Sequence, residues 1–356
     1  GPYADGTSTG HGLLNRNKRS IGLDLKKPEA VAIAKQLVAQ HDIVIEQFRP
    51  GVMERFGLGY KQLSAINPRI IYCSITGYGQ TGPYSEKAGF ASACEAISGF
   101  RYVNGYPDEA PVRPNLSIGD TVSGLHAVIG ILMALRSRDE AIKDNKEGGQ
   151  VVDVALYESM FNLLEAVIPE YDGAGVVRQP SGTTVTGIVP TNTYKCGDGK
   201  FLVIGGNGDS IFARLMTAVG RTDMATDEKY ATNSDRVIHE AELDEVLAAW
   251  CASLPLAEAM TILEDNRVPC GPVYNAADMM EDTHFKYREL FEQVEINGEP
   301  LKIPAIMPKL QGTPGGTEWP GPEMGSHTDE VLQSIGLDRA RIAQLKLSGI
   351  VADAQP

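Results

Sequence analysis

Short strand-type and helix-type segments alternate through the first third of the sequence, and this alternation limits the possible folds more than any other feature. Strand-type runs occupy residues 20–25, 43–48 and 69–75, and residues 28–40 and 60–66 between them are typical of helices. Strands joined by single helices through short connections form a parallel sheet with right-handed crossovers. The sequence therefore predicts an α/β fold built on a parallel sheet.

Polar and glycine-rich residues stand at the ends of two of these strands. Gln47, Phe48 and Arg49 end the second strand, and the sequence TGYG follows the third strand at residues 76–79. Ligands of open parallel sheets bind outside the carboxyl ends of the strands. We therefore predict a ligand-binding crevice at this edge of the sheet.

The rest of the chain predicts a long helix and a second, smaller domain. Residues 121–138 carry apolar side chains on nearly every helical face, which predicts a buried helix. Residues 194–206 are typical of a hairpin with the turn GDG. The predicted organisation is a large α/β domain at 1–175, a linker at 176–193, a small α+β domain at 194–290, a return linker at 291–325 and a tail at 326–356 that packs on the large domain.

Composition excludes several classes of partner. The 356 residues carry a net charge of −14, which argues against nucleic acid as a ligand. The longest apolar run, residues 125–135, is shorter than the ~20 residues of a membrane span. The polar, glycine-rich start indicates no signal peptide.

Cysteine and histidine spacing predicts neither disulfides nor a metal site. The five cysteines are an odd number without a CxxC pair, which favours a reducing compartment, and the six histidines form no HExxH motif. We expect a cytoplasmic protein, with a mitochondrial location as the alternative if a presequence has been removed.

Asp120 opens the long helix in the sequence SIGDTVSGL. Aspartate is a favoured N-cap residue, so a structural role explains it fully. The structural role is the one that the spacing favours, and a functional role stays open because the neighbouring glycine lets a ligand approach closely. Two interpretations are also open for the basic residues Arg16, Lys18, Lys26 and Arg49. They could bind phosphate groups through charge-assisted hydrogen bonds, or they could be part of a solvated charged surface.

Eight motifs in order along the chain resemble those of the class III CoA-transferase (CaiB/BaiF) family. They are NRNKRSI with LDLK at 15–26, FRPG with RFG at 48–57, NPR with GYG at 67–79, KAG with AISG at 87–99, GD with SG at 119–124, GQVVDV at 149–154, VPCGPV at 268–273 and GSHTDEVL at 325–332. Family members usually carry a further strand–helix unit before the first motif, and almost all of it is missing here.

This resemblance implies a Rossmann-like large domain, a smaller domain and a homodimer of two interlocked, ring-like subunits. It also implies that Asp120 is the catalytic nucleophile. The residues that it and the basic cluster assign to CoA binding are Arg16, Lys18, Leu23, Lys26, Gln47, Phe48, Arg49, Arg55 and Lys87.

The implied reaction moves CoA from an acyl-CoA to a carboxylic acid through an aspartyl anhydride and an aspartyl-CoA thioester. CoA is then a substrate, and no tightly bound cofactor is expected. Succinyl-CoA is the expected donor and a dicarboxylic acid the expected acceptor.

The acceptor's distal carboxylate could be held by Arg101, Arg113 and Arg178, or each could be a surface arginine. The glycine-rich loop of formyl-CoA:oxalate enzymes is not evident, so oxalate is not favoured.

Two alternatives stay open. A 2-methylacyl-CoA racemase shares the fold, but family racemases carry a His-Asp pair where this chain has Phe90 and Ala91, which cannot exchange protons. A non-catalytic CoA-binding subunit is the second alternative, and the missing first unit is its motivation.

Overall fold

The computed structural model describes residues 3–4, 7–144 and 146–352, which belong to two compact units. The first unit contains the residues up to Cys94, residues 117–160 and the residues from Met280 on. The second contains residues 95–116 and 161–279. This division differs from the predicted boundaries, because the predicted linker at 176–193 groups with the second unit and the predicted return linker at 291–325 with the first.

The strands are short, and in chain order they are β1 (Tyr3–Ala4), β2 (Thr7–Ser8), β3 (Gly22–Leu23), β4 (Ile43–Glu46), β5 (Ile71–Thr76), β6 (Gln150–Ala155), β7 (Thr191–Lys195), β8 (Phe201–Gly205), β9 (Cys270–Pro272), β10 (Phe291–Ile296), β11 (Glu299–Pro304) and β12 (Val351–Ala352).

The helices are α1 (Thr9–Leu14), α2 (Pro28–Val38), α3 (Val52–Arg55), α4 (Tyr60–Ser64), α5 (Ala91–Ile97), α6 (Phe100–Val103), α7 (Ile118–Lys143), α8 (Leu156–Phe161), α9 (Val167–Ala174), α10 (Asp209–Ala218), α11 (Thr222–Ala225), α12 (Asn233–Ile238), α13 (Glu240–Ala252), α14 (Leu256–Asp265), α15 (Ala276–Glu281), α16 (Thr283–Tyr287), α17 (Thr328–Ser334) and α18 (Arg339–Leu347). A 3₁₀ helix covers Glu228–Tyr230.

Strands β4, β5 and β6 form the parallel sheet that the sequence predicts, with β5 in the centre. Ile71 on β5 pairs with Ile43 on one side and with Gln150 on the other. Nearly every residue of β5 is buried, as expected for a central strand covered on both faces. The prediction that residues 20–25 form a strand of this sheet is wrong, because only the two residues of β3 are extended and they pair antiparallel with β12.

Helix α7 packs on this sheet through its smaller side chains. The buried positions of α7 recur every three or four residues, which is one face of a helix. They are Gly119, Ser123, Ala127, Ile131, Ala134 and Arg138. Ala127, Ile131 and Ala134 belong to the same apolar cluster as Ile71 on β5 and Val154 on β6.

The prediction that this long helix is buried is wrong for the single chain. Its large apolar side chains are exposed: Leu125, Val128, Ile129, Leu132 and Met133. The small residues face the sheet because they let the helix come close to it, and the large ones consequently point away. An all-round apolar composition cannot distinguish these two faces.

Helix α7 is also long and apolar enough to cross a membrane, which the run of residues 125–135 alone did not indicate. The bent pair α13 and α14 passes the same test only if it is counted as one span. One or two such helices are weak evidence for a membrane span, because core helices of soluble proteins can have the same length and composition.

The C-terminal helices complete the core of the first unit around α2. Ala30 and Ile33 of α2 are buried against Leu332 of α17 and Ile342 of α18. The hairpin of β10 and β11 lies inside the predicted return linker and was not predicted. Its signal is Asn297-Gly298 between alternating apolar residues, and the positive φ of both residues is that of a type I′ turn.

The second unit is built on the antiparallel sheet β7-β8-β9, and β7 and β8 form the predicted hairpin. Its core includes Leu202, Ile204, Leu215 and Leu247. Arg236 is fully buried among main-chain carbonyl groups and the Asp209 carboxylate, which satisfy its donors.

Two glycines let two backbone segments of the first unit meet. Gly77 follows β5, and a Cβ atom on it would lie 2.7 Å from the Cα atom of Gly89. A Cβ atom on Gly89 would lie equally close to the Cα atom of Gly77. The segment before α5 therefore packs directly on the end of the central strand.

We expect Gly77→Ala to lower the free energy of unfolding by about 1–3 kcal/mol, the usual cost of overpacking. Urea denaturation followed by circular dichroism measures this difference. Gly312→Ala is the matched control, because an added Cβ meets nothing within 4 Å at that position. Equal stabilities of the two variants would contradict the close approach.

Candidate active site

The carboxyl ends of β4 and β5 and the first turn of α7 surround a cavity in the first unit. Its volume is about 320 Å³. It lies at the edge of the sheet where the sequence predicts a crevice. The polar side chains in its wall are Gln47, Arg49, Thr76, Ser85, Lys87, Asp120 and Ser123.

Asp120 is the third residue of α7 and not its N-cap, so the prediction that it opens the helix is wrong. Ser117 occupies the N-cap position and the helix begins at Ile118. The SIGD sequence offers two residue types that favour N-caps, and the chain turns helical at the earlier one. The Asp120 carboxylate is exposed and has no hydrogen bond or ion pair with any other described residue. It lies in the first turn, where the helix dipole favours negative charge.

Two cationic side chains share the cavity wall with Asp120. The Lys87 Nζ atom lies 3.4 Å from the centre of the Tyr84 ring, and this cation–π contact restricts the ammonium group. The Arg49 guanidinium has no hydrogen bond or ion pair within the described part of the chain. Two positive charges and one negative charge suit an anionic ligand beside Asp120.

The structure brings Gln47, Phe48, Arg49, Lys87 and Asp120 together, as the resemblance implies. The contribution of Tyr84 was missed. Lys87 and Tyr84 lie three residues apart in a segment without regular secondary structure. No helical or strand periodicity in the sequence therefore indicates their contact.

Lys26 and Arg55 lie in a separate groove of the first unit. Its volume is about 610 Å³, and Phe56, Leu25, Pro28 and Val31 form apolar parts of its wall. Lys35 of α2 is a third cation in this groove, and sequence reasoning missed it. The sequence could have indicated Lys35, because it lies two helical turns after Pro28 and the start of this helix was predicted.

The other residues predicted to bind CoA line neither the cavity beside Asp120 nor the groove beside Lys26. Leu23 lies in β3 and borders an apolar hollow. Arg16 donates to the Pro304 carbonyl at 2.7 Å, and Lys18 donates to the Asn15 side chain at 3.1 Å. Arg16 and Lys18 therefore serve contacts within the protein.

Three arginines were open to two roles, to hold the acceptor's distal carboxylate or to lie on the surface, and two of them already have carboxylate partners in the second unit. Arg101 pairs with the buried Glu95 at 3.0 Å, and Arg178 pairs with Glu170. The Arg178 hydrogen bond lowers the pKa of Glu170. Arg113 donates to the Leu116 carbonyl at 3.4 Å.

Three of the five cysteines are poor candidates for a competing nucleophile. Burial raises the pKa of the Cys73 thiol to about 11 and that of Cys251 to about 12. Burial also raises the pKa of Cys270. Because the thiolate is the reactive form, these groups are inert at neutral pH. Asp120 has the chemistry and the exposure that they lack.

The chain belongs to CoA-transferase family III, whose family model matches residues 1–328. It is therefore an enzyme of the class that uses CoA thioesters as substrates. The solved structure of a CaiB/BaiF family protein from Brucella suis has the same mixed α/β fold, with a TM-score of 0.78 and 31% identity. That comparison covers 92% of this chain and 84% of the other.

Several relatives are named for dicarboxylate substrates. The chain is 40% identical to succinyl-CoA–D-citramalate CoA-transferase of Chloroflexus aurantiacus, over 95% of this chain and 84% of the relative. It is 37% identical to the beta subunit of succinyl-CoA–L-malate CoA-transferase of the same organism, over 95% and 83%. It is 32% identical to mouse succinyl-CoA:glutarate CoA-transferase, over 98% and 79%.

We expect Tyr84→Leu to raise the KM of the acyl-CoA donor about two- to fivefold, the equivalent of an exposed cation–π contact of about 0.5–1 kcal/mol. The Lys87 ammonium loses the ring that restricts it, whereas Tyr84→Phe keeps the ring and should keep the wild-type KM. Steady-state kinetics with a saturating acceptor measures both. The same KM rise in both variants would show that the ring contact has no part in binding.

Proposed function

We propose that this enzyme transfers CoA from succinyl-CoA to a dicarboxylic acid, with Asp120 as the covalent nucleophile. The observation that carries the proposal is an exposed carboxylate without a partner among the described residues, in a cavity whose wall also holds Arg49 and Lys87. The names of the relatives support the choice of donor and acceptor.

The reaction exchanges one thioester for another and needs no ATP. Asp120 attacks the thioester carbonyl of the donor, which gives a mixed anhydride and the CoA thiolate. The thiolate then attacks the aspartyl carbonyl, which gives an aspartyl-CoA thioester and releases the donor acid. The acceptor carboxylate attacks this thioester, and the same steps in reverse deliver the new acyl-CoA. Carboxylates are established covalent nucleophiles in enzymes.

Positioning must supply much of the rate, because a carboxylate is a weak nucleophile. An ordinary aspartate is ionised at neutral pH, so the attack needs no general base. Well-oriented groups can gain ~7–11 kcal/mol over a bimolecular encounter. Arg49 and Lys87 favour the approach of the anionic donor, and Lys87 would also counter charge on the thioester oxygen as it is attacked.

CoA binding is assigned to two cationic places of the first unit. Gln47, Phe48, Arg49 and Lys87 would hold the thioester end beside Asp120. Lys26, Lys35 and Arg55 would hold phosphate groups in the separate groove, through charge-assisted hydrogen bonds. Leu23, Arg16 and Lys18 receive no direct role, since their contacts are within the protein.

The racemase alternative finds no support in the cavity. Racemisation needs two groups that exchange a proton with the α-carbon, and the positions in question are Phe90 and Ala91, both in the cavity wall.

A non-catalytic role would leave the purified chain inactive by itself. Assay of the purified chain with succinyl-CoA and a panel of citramalate, malate, glutarate, itaconate and acetate decides between these functions. Transfer to dicarboxylates and not to acetate is expected, and no transfer to any acid would contradict the proposal.

We expect Asp120→Asn to lower transfer by about 10³-fold or more, because the substitution removes the nucleophile itself. The asparagine keeps the size of the side chain and loses only its favourable charge in the first turn, so the circular dichroism spectrum should stay that of the wild type and the unfolding midpoint should fall only slightly. Glu140→Gln is the matched control, since Glu140 is a carboxylate of the same helix that pairs with Arg136 and Lys143. Wild-type turnover of the asparagine variant would remove Asp120 from the mechanism.

A homodimer of interlocked, Rossmann-like subunits is the second part of the proposal. The exposed apolar face of α7, with Leu125, Val128, Leu132 and Met133, supports it. Exposed apolar patches of this kind mark interaction surfaces, and a second copy of the chain would cover the face with equally apolar residues.

We expect Leu132→Glu to prevent assembly of this dimer during folding, because it places a charge in the centre of the apolar face. Light scattering after size-exclusion chromatography measures the mass, with twice the 38.3 kDa chain mass expected for the wild type. Leu347→Glu is the control, because Leu347 is 91% exposed at the end of α18. A monomeric wild type, or a variant dimer as stable as the control, would contradict the assignment.

A further inference from the structure

Glu46 is a buried carboxylate for which the transfer chemistry has no use. It is the last residue of β4 and is 8% exposed. No lysine, arginine or histidine of the described chain forms an ion pair with it. A buried carboxyl group without a counter-ion depends on hydrogen-bond partners, so the donors that surround it indicate its role.

Two donors from different parts of the first unit satisfy this carboxylate. The Ser74 hydroxyl donates to Oε1 at 2.5 Å, and the Phe48 backbone N–H donates to Oε2 at 2.7 Å. Ser74 is the partner of Glu46 in the parallel register and is 2% exposed. The carboxylate therefore joins the central strand β5 to the backbone just beyond β4.

The backbone that Glu46 holds is one wall of the cavity. Gln47, Phe48 and Arg49 all line this cavity, which also contains Asp120. The Phe48 ring packs edge-on against the Phe56 ring, with 6.4 Å between the ring centroids. Because the Arg49 side chain has no partner within the described residues, its place depends on the backbone that carries it.

We propose that Glu46 is a positioning residue for acyl-CoA binding, which fixes residues 47–49 against the buried Ser74 before the ligand arrives. The identity of the ligand rests on the proposed function. A wall that is already ordered loses less entropy when CoA binds, which increases affinity.

A role confined to holding β4 in the sheet predicts something different. In that case a substitution lowers stability and leaves the affinity for CoA unchanged, as in any core variant. The positioning role predicts a loss of affinity beyond that of a core variant with a similar loss of stability. It also predicts recovery by a side chain that keeps both hydrogen bonds.

Two variants of Glu46 separate these roles. Glu46→Gln keeps an oxygen for the Phe48 N–H, and its amide can donate to the Ser74 hydroxyl. Glu46→Met has similar length and no acceptor. Ile342→Val is the stability control, because Ile342 is a core residue of α18 outside the cavity. The measurements are the Kd of CoA by calorimetry, the KM and kcat for succinyl-CoA, and hydrogen exchange of the Phe48 amide.

We expect Glu46→Met to raise the Kd of CoA and the KM of succinyl-CoA about tenfold, the equivalent of one hydrogen bond at the upper end of the usual range. The kcat should change little, and the Phe48 amide should lose its protection. Glu46→Gln and Ile342→Val should both stay close to the wild type. A wild-type Kd in Glu46→Met, or an unprotected Phe48 amide in the wild type, would overturn the positioning role. A wild type that binds CoA but transfers none would overturn the proposed function alone, and one that binds no CoA would overturn both.

Discussion

The packing of α7 on the parallel sheet decides where Asp120 lies. The small side chains of Gly119, Ser123 and Ala127 let the helix approach β5 and β6. Because Asp120 follows the first of these residues, this packing places its carboxylate at the carboxyl ends of the strands, in the cavity wall. Larger residues on this face would hold the helix away from the sheet and remove the carboxylate from the other groups of the site.

The other groups of the cavity depend on equally local constraints. The Glu46 carboxylate holds the backbone of Phe48, and the close approach of Gly77 and Gly89 holds the segment that carries Lys87. The candidate site therefore consists of one exposed carboxylate and surroundings that are fixed by packing and buried hydrogen bonds. Such preorganisation is what a weak nucleophile requires, because it reacts through orientation and not through its own basicity.

The parallel sheet, the β7–β8 hairpin and the charged cavity residues Arg49, Lys87 and Asp120 could be predicted from the sequence, because strand–helix alternation, turn residues and ordered motifs are local signals. The exposed face of α7 could not, because apolar residues on all faces do not show which face meets the sheet. The N-cap was misplaced by three residues, since Ser117 and Asp120 are both favoured cap types. The Glu46–Ser74 contact joins residues 28 positions apart and depends on strand register, for which the sequence has no signal.

Peptide mass spectrometry of the enzyme, quenched with acid during turnover of succinyl-CoA, tests the covalent role of Asp120 most directly. The predicted result is a CoA thioester on the peptide that contains Asp120, present with succinyl-CoA and absent after an excess of acceptor acid has been added. Transfer that proceeds while this peptide stays unmodified, or a CoA adduct on another residue, would contradict that role.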